Sequence, residues 1–391
     1  MAGSQGDKRA MGGRHLQDLR LYLTRRPVML ALLCIATVVF FVAVTGLSRI
    51  YHAQQDSLAN RWFSRGVTDL AAHRYGAAVT EFRTALLYSR DDYSYQLNLA
   101  EALIGLKRTN EAYAYLINLW DREPENGLVN LELARIAAQK RETDQALRYY
   151  HNAIYATWPG DQEMERRDTR LELIDYLLKI NAKPQAQAEL IALAANLGSD
   201  PSQQARLGEL FLQTRDYEHA LAAYKQVLKS DPHNQPALAG AGEAAFQLGR
   251  YPLAQKYLEA AVAADPDDLQ SIAQLKTTEL VLLMDPFRRQ ISAAERGRIV
   301  VAAFSAAGDR LKSCSAPAST ARPASSQPGL ADAWTKMKPQ INERGLRRNP
   351  DLVEQTMELV FNIERQTSAT CGPPAGTDMA LLLIARLHEG S

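Results

Sequence analysis

The segment LGELFLQTRDYEHALAAYKQVLKSDP, Leu207–Pro232, contains two short amphipathic stretches separated by a polar turn around Arg215 and Asp216. Two helices of this size cannot bury their apolar faces against each other alone. Additional hairpins stacked on either side would cover those faces. The segment is therefore predicted to be one unit of a repeated array.

The same pattern recurs along the chain at a nearly constant spacing. In the second helix of each hairpin, a small residue is followed four residues later by a large one. Twelve residues before the small residue, the first helix carries another recurring position, which is glycine or alanine in five of the six hairpins and is called the first-helix marker. The small residues are Ala78, Ala112, Ala146, Ala186, Ala220 and Ala254, at spacings of 34, 34, 40, 34 and 34. The large residues are Phe82, Leu116, Tyr150, Leu190, Tyr224 and Leu258, and the first-helix markers are Gly66, Ala100, Ala134, Ile174, Gly208 and Gly242. A fixed period of this length predicts six stacked helical hairpins.

The residue types at these positions have a packing explanation. Antiparallel helices approach closely where small side chains meet, as Gly208 and Ala220 are expected to do, with Tyr224 filling the space beside them. Proline cannot continue a helix, so Pro232 is expected to end the unit.

This pattern resembles the tetratricopeptide repeat family from Asn60 to about Pro266. The resemblance implies an all-α fold, a superhelix of about six hairpins whose first helices line a concave groove. The fourth unit departs from the pattern, because Ile174 replaces the small residue and six extra residues enter around WPGDQEMERRDT. A longer connection or an extended helix is expected there. Leu269–Pro286 is interpreted as a solitary capping helix.

The family's register predicts which side chains line the groove. They are Phe63, Val67, Leu97, Glu101, Leu131, Arg135, Asp175, Glu209, Leu212, Glu243 and Phe246. The acidic members recur at one register position, which indicates either a groove for a partly basic peptide or ordinary solvated helix surface. The carboxylate clamp of cochaperone repeats is not expected, because its positions carry Phe63, Val67 and Asn98 and only the asparagine fits.

Residues 28–47, VMLALLCIATVVFFVAVTGL, form a run of twenty residues without a charge. A helix of this length crosses a hydrocarbon core of about 30 Å. A cleaved signal peptide is the main alternative, but its apolar region is usually about 7–15 residues long and precedes a small-x-small cleavage site. The sequence therefore predicts one uncleaved transmembrane helix.

The flanking charges predict the orientation of this helix. Six basic residues precede it, and three follow within a comparable distance: Lys8, Arg9, Arg14, Arg20, Arg25 and Arg26, then Arg49, Arg61 and Arg65. This bias places residues 1–27 in the cytoplasm as a basic tail and the rest of the chain in the periplasm, on an inner membrane. Within the tail, His15–Pro27 is either an interfacial helix or a solvated segment.

Two regions are expected beyond the anchor. The array with its cap covers residues 56–286, and a small helical C-terminal module covers 287–391, interrupted by a loop rich in proline, serine and alanine at 315–329. Cys314 and Cys371 lie in this module and are interpreted as a disulfide pair, which an extracytoplasmic location permits. Two unrelated thiols are the alternative.

The sequence contains no recognisable catalytic, metal-binding or cofactor-binding motif. It has neither HExxH, paired CxxC, nor a glycine-rich phosphate loop after a strand, so no enzyme, metal or cofactor is predicted. The formal net charge of +1 does not favour nucleic acid as a partner. The favoured function is a membrane-anchored scaffold that binds envelope proteins as an assembly or chaperone-like factor. The alternatives are a permanent subunit of a membrane complex and a redox protein using the cysteine pair.

Overall fold

The computed structural model describes residues 10–198, 200–315 and 328–388. These residues form helices without strands, as the sequence predicts, and one isolated bridge joins Asn126 to Thr157. The helices are α1 Ala10–Ala71, α2 Tyr75–Tyr88, α3 Tyr93–Gly105, α4 Thr109–Arg122, α5 Gly127–Lys140, α6 Thr143–Tyr155, α7 Gln162–Lys179, α8 Lys183–Asn196, α9 Pro201–Thr214, α10 Tyr217–Ser230, α11 Gln235–Gln247, α12 Tyr251–Ala264, α13 Leu269–Met284, α14 Ala293–Ser315, α15 Pro328–Met337, α16 Glu343–Arg348, α17 Pro350–Cys371 and α18 Thr377–Leu387. The chain divides into two compact units, Met1–Leu171 and Glu172–Ser391, which are described separately.

Close packing of a large side chain on a small one holds the hairpins together. A Cβ atom added to Gly208 would lie 2.8 Å from the ring of Tyr224, sixteen residues later, and one added to Gly242 would lie 2.7 Å from Leu258. Gly66 contacts Phe82 in the same way in the first hairpin. The large side chains at this position are buried in all six hairpins: Phe82, Leu116, Tyr150, Leu190, Tyr224 and Leu258.

The turn inside each hairpin contains one residue in the left-handed backbone conformation. These residues are His73, Lys107, Arg141, Asn181, Arg215 and Gly249, and they repeat the spacing of the packing positions. The left-handed conformation costs a residue other than glycine about 1–2 kcal/mol, yet five of the six residues carry side chains. Their composition gives no sign of this turn, so sequence reasoning did not identify it.

Helix ends are fixed by short polar side chains. Asp92, Asn126, Asn234 and Asp268 each accept a hydrogen bond from a backbone N–H of the first turn of the following helix. Such caps stabilise a helix by about 1 kcal/mol each. Like the packing positions, they recur at the repeat spacing.

The helix α1 is longer than the sequence boundaries predict. It runs without interruption through the apolar segment and into the first hairpin, where it packs against α2. The expected break between residues 47 and 56 is therefore absent. The segment Met29–Ala71 is long and apolar enough to cross a membrane, and its most apolar stretch makes no burying contact with the protein.

The fourth hairpin has both an extended helix and a longer connection, as predicted. The helix α7 has 18 residues, compared with 13 or 14 in most helices of the other hairpins. Before it, the backbone of Thr157 exchanges hydrogen bonds with Glu125 and Gly127, at distances of 2.9 and 3.0 Å. Trp158 packs against Gly127 and donates a 2.8 Å hydrogen bond to the carbonyl of Ala153.

The C-terminal helices share one hydrophobic core with the end of the array. Val281 and Met284 of α13 belong to the same cluster as Val300 of α14, Met357 of α17 and Leu381 of α18. As expected of a capping helix, α13 packs against α12 of the last hairpin, and α18 also packs along it. Most of the predicted loop 315–329 lies outside the described residues, but α15 already begins at Pro328 and corrects the end of that loop.

We predict that Gly208→Ala destabilises the protein, because the added methyl group must displace the buried ring of Tyr224. Overpacking of this kind costs about 1–3 kcal/mol. Gly76→Ala is the matched control, because this helical glycine of α2 has open space around its Cβ position. There, alanine should be neutral or stabilise by up to about 1 kcal/mol. Thermal unfolding followed by circular dichroism measures both; equal melting temperatures would contradict the packing role of Gly208.

Candidate functional site

In the first compact unit, Met1–Leu171, some of the predicted groove residues are packing residues and others are exposed. Phe63 is half-buried and stacks on Tyr95 with ring centroids 4.6 Å apart, and Leu131 is buried. Val67 remains exposed on the same helix as Phe63. Phe63 and Leu131 therefore contribute mainly to packing, whereas Val67 presents an apolar surface to the outside.

The polar groove residues of the first unit come from two neighbouring hairpins. Partial burial raises the pKa of Glu101 on α3, and Arg135 on α5 offsets part of that increase. Arg135 also pairs with the buried Glu132 at 2.6 Å. Half-buried Leu97 lies one turn before Glu101. This surface thus combines the carboxylate of Glu101 with the guanidinium group of Arg135, which is already paired with Glu132.

The second unit carries a row of carboxylates on successive first helices. Asp175 lies on α7, Glu209 on α9 and Glu243 on α11, and all three are at least partly exposed. Arg206 links the first two, at 3.6 Å from Asp175 and 3.0 Å from Glu209. Glu243 accepts a 3.2 Å hydrogen bond from Gln270. We call Asp175, Glu209 and Glu243 the acidic row.

Tyr224 connects the acidic row to the packing of the repeats. Its ring contacts Gly208 of its own hairpin and Gly240 of the next one. Burial raises the pKa of its hydroxyl, and the negative charges of Glu209 and Glu243 raise it further. Burial also raises the pKa of Glu243. The side chain that holds two hairpins together therefore lies within electrostatic range of two members of the row.

The apolar groove residues of the second unit differ in their accessibility. Leu212 is half-buried on α9. Phe246 packs against the C-terminal core and meets Tyr251 edge-on, with ring centroids 5.6 Å apart. This packing leaves only part of the Phe246 side chain accessible to a partner.

Two polar residues of the second unit were missed by the sequence analysis. Arg206 could have been found, because it precedes Glu209 by three residues and therefore shares its helix face. Gln270 gave no such signal, since it reaches Glu243 from α13. The asparagine that fitted the cochaperone clamp, Asn98, donates a 2.8 Å hydrogen bond to the carbonyl of Ser94 within its own helix.

The cysteines of the C-terminal module are adjacent in the structure. Cys314 at the end of α14 is bonded to Cys371 at the end of α17, with Cα atoms 5.7 Å apart. Within the described ranges no group of three or more histidine, cysteine, aspartate or glutamate side chains is arranged to hold a metal ion.

Comparison with known proteins supports the tetratricopeptide repeat for part of the chain. The family model described as "Tetratricopeptide repeat" matches residues 211–278, which span the end of α9, the helices α10 to α12 and the first part of α13. A curated relative, the DnaJ homolog subfamily C member 3 homolog of Dictyostelium discoideum, is 25% identical over 117 residues. That match covers 30% of this chain and only 23% of the relative.

Solved repeat proteins also resemble the chain at low identity. YrrB, described as a tetratricopeptide repeat protein with an unusual peptide-binding site, is 17% identical with a TM-score of 0.38; the match covers 49% of this chain and 95% of YrrB. The Pseudomonas aeruginosa protein pilF is 16% identical with a TM-score of 0.38, and the match covers 56% of this chain and 97% of pilF. The repeat assignment rests on the family model and the packing register rather than on these superpositions.

We predict different effects for the two apolar residues of α1. Phe63→Ala should lower the free energy of unfolding by about 2–3 kcal/mol, because it removes a stacked, half-buried ring. Val67→Ala should change it by less than about 0.5 kcal/mol, as is usual for an exposed position. Thermal unfolding of the two variants under identical conditions checks this. A large loss of stability for Val67→Ala would show that this residue is a packing residue and not part of a free surface.

Proposed function

We propose that this protein is a single-pass, membrane-anchored scaffold that binds a basic segment of another envelope protein along its first helices. The acidic row carries this proposal, because it presents carboxylates at one register position on three successive repeats. Tetratricopeptide repeats are protein-binding scaffolds, and the proposal assigns no catalytic step to the chain. It acts as an assembly or chaperone-like factor in the periplasm.

The anchoring part of the proposal is supported by α1. The apolar side chains of Met29, Phe40 and Leu47 are each about two-thirds exposed or more, and no element of the described part of the chain covers them. Burial of such a stretch is favourable by roughly 25 cal/mol per Å² of apolar surface, which a lipid bilayer would supply. The excess of basic residues before the helix favours a cytoplasmic N-terminus.

The continuity of α1 fixes the distance between the membrane and the start of the partner-binding surface. Because the helix is unbroken from the apolar segment to the first hairpin, no flexible linker separates the two. At a rise of about 1.5 Å per residue, Val67 would lie roughly 30 Å along the axis from Leu47. A fixed distance of this kind suits a partner that is itself held at the membrane surface. It equally favours the second candidate function, a permanent accessory subunit of a membrane complex.

The disulfide belongs to the same proposal. The periplasm is an oxidising compartment in which disulfides form and persist. A bond between Cys314 and Cys371 would reduce the entropy of the unfolded C-terminal module and stabilise it by about 4 kcal/mol in the loop-entropy model.

We predict that a fluorescent lysine-rich peptide binds the full-length protein and that the acidic row determines the affinity. Combining Glu209→Gln with Glu243→Gln should weaken binding about tenfold or more at low salt, because two attractive charges are lost. Arg206→Gln should strengthen binding, because it removes a competing positive charge from the row. Lys229→Gln on the exposed surface of α10 is the control and should leave the affinity nearly unchanged.

The pH dependence of the same binding follows from the raised pKa of Glu243. The carboxylate attracts the peptide only when ionised, so affinity should fall as the pH decreases through that raised pKa. Fluorescence anisotropy at several pH values and salt concentrations measures it. Equal affinities for wild type and the double glutamine variant would contradict the acidic row as the binding surface.

We predict that the C-terminal module is accessible from outside the inner membrane. In a Cys34→Ser background, mild reduction of intact cells followed by a membrane-impermeant maleimide should label Cys314 and Cys371. A variant with both of these cysteines replaced by serine is the control for background. Labelling that appears only after lysis would contradict the proposed orientation while leaving the peptide experiment unaffected.

A further inference from the structure

The C-terminal helix α18 covers the end of the last hairpin. Leu387 lies over Gly249, in the turn between α11 and α12, and would meet any side chain placed there. The next residue, His388, lies 3.6 Å from Asp285, and its ring packs on Phe287 with centroids 4.7 Å apart. Phe246, a groove-register residue, packs against the same hydrophobic core to which α18 contributes Leu381 and Ile384.

Two links hold the turn between α17 and α18 against α14. Cys371, the last residue of α17, is bonded to Cys314. Arg310, one helical turn before Cys314, donates a 2.7 Å hydrogen bond from Nη2 to the carbonyl of Gly372. The turn itself requires glycine, since Gly372 and Gly376 have φ values of 94° and 54°. The position of α18 therefore depends on a covalent link and a charged hydrogen bond at its start.

A buried carboxyl group lies behind these links. Glu364 of α17 is fully buried, and neither of its oxygens has a hydrogen-bond partner. The Nε–H of Arg310 is also buried without a partner. Burial and, to a smaller extent, the negative charge of Asp378 on α18 raise the pKa of Glu364 to about 8, although the positive charge of Arg310 lowers it. Burial also raises the pKa of Asp378, with Arg310 lowering it and Asp309 raising it.

We propose that Glu364, Arg310 and the Cys314–Cys371 bond form a latch that holds α18 over the last hairpin and opens on reduction and loss of a proton. While Glu364 is protonated it is neutral and does not compete for Arg310, which stays on the carbonyl of Gly372. Loss of the proton creates a buried carboxylate that attracts the positive charge of Arg310. The guanidinium then shifts toward the carboxylate of Glu364, and this movement draws Nη2 away from the carbonyl of Gly372.

The disulfide decides whether this exchange moves the helix. With the bond intact, Cys371 keeps the turn on α14 even when Arg310 leaves Gly372. A dithiol reductant removes this link by thiol–disulfide exchange, in which the reductant is oxidised to a disulfide and each protein sulfur gains one electron and one proton. Reduction and deprotonation together leave neither link in place, so α18 separates and more of Phe246 becomes accessible.

The direction of the pH effect follows from the raised pKa. A carboxyl group whose pKa is higher in the folded state binds its proton more tightly there, so folding is favoured at low pH. The stability of the module should decrease as the pH rises from about 4.5, the ordinary value for glutamate, to about 8. Glu364→Gln keeps a neutral side chain of similar shape and should remove this dependence.

Hydrogen–deuterium exchange of the full-length protein in nanodiscs tests the latch. Exchange of the α18 amides, normalised to unstructured peptide rates, is compared at pH 6.0 and 8.5, before and after reduction with dithiothreitol. The oxidised protein should show little difference between the two pH values. The reduced protein should exchange at least tenfold faster at pH 8.5 than at pH 6.0, because each pH unit between about 4.5 and 8 weakens the closed state about tenfold.

Two variants on α17 separate the latch from a general loss of packing. Glu364→Gln should keep the effect of reduction but lose the effect of pH, whereas Glu358→Gln, at an exposed position of the same helix, should behave as wild type. If Glu364→Gln does not fold, the wild-type protein at two pH values, oxidised and reduced, still tests whether α18 opens only when both links are lost. The proposal would be overturned if the exchange rates of the α18 amides did not change on reduction, or if their pH dependence persisted in Glu364→Gln.

Discussion

The structure depends on one steric constraint, the close packing of a large side chain of each second helix on a residue sixteen positions earlier. Where that earlier residue is glycine, at Gly66, Gly208 and Gly242, no room remains for a Cβ atom. Tyr224 extends the constraint between hairpins, because its ring also fills the space beside Gly240. A fixed spacing within the hairpin and a contact to the next one together determine how the first helices line up.

The surface of the first helices is a consequence of that alignment. The acidic row exists as a row because α7, α9 and α11 occupy equivalent positions, so that Arg206 can contact both Asp175 and Glu209. The same alignment lets Gln270 of α13 reach Glu243. Binding specificity can therefore change through these side chains while the buried packing positions stay unchanged.

Most of the fold could be predicted from the sequence, because the packing residues carry the period directly. The residues of the hairpin turns could not, since Lys107 and Arg215 adopt the left-handed conformation without the glycine that normally indicates it. The uninterrupted course of α1 was also missed, because hydropathy marks where apolar residues end and contains no information on whether the helix continues. Within the candidate site the register predicted which helices carry the carboxylates of the acidic row, and their role in binding stays a prediction. The packing of Phe246 on the C-terminal core could not be predicted, because these contacts join segments far apart in the chain.

The central claim is that a protein partner is bound on the surface of the first helices while the protein is anchored in the membrane. It is tested most directly by photo-crosslinking in living cells, with a photoreactive amino acid placed at Glu209 on α9 or at Lys225, an exposed residue of α10 in the same hairpin. The account predicts discrete crosslinked products at position 209, with membrane or envelope proteins as partners, and few or none at position 225. The same products at both positions, or none at position 209, would contradict it.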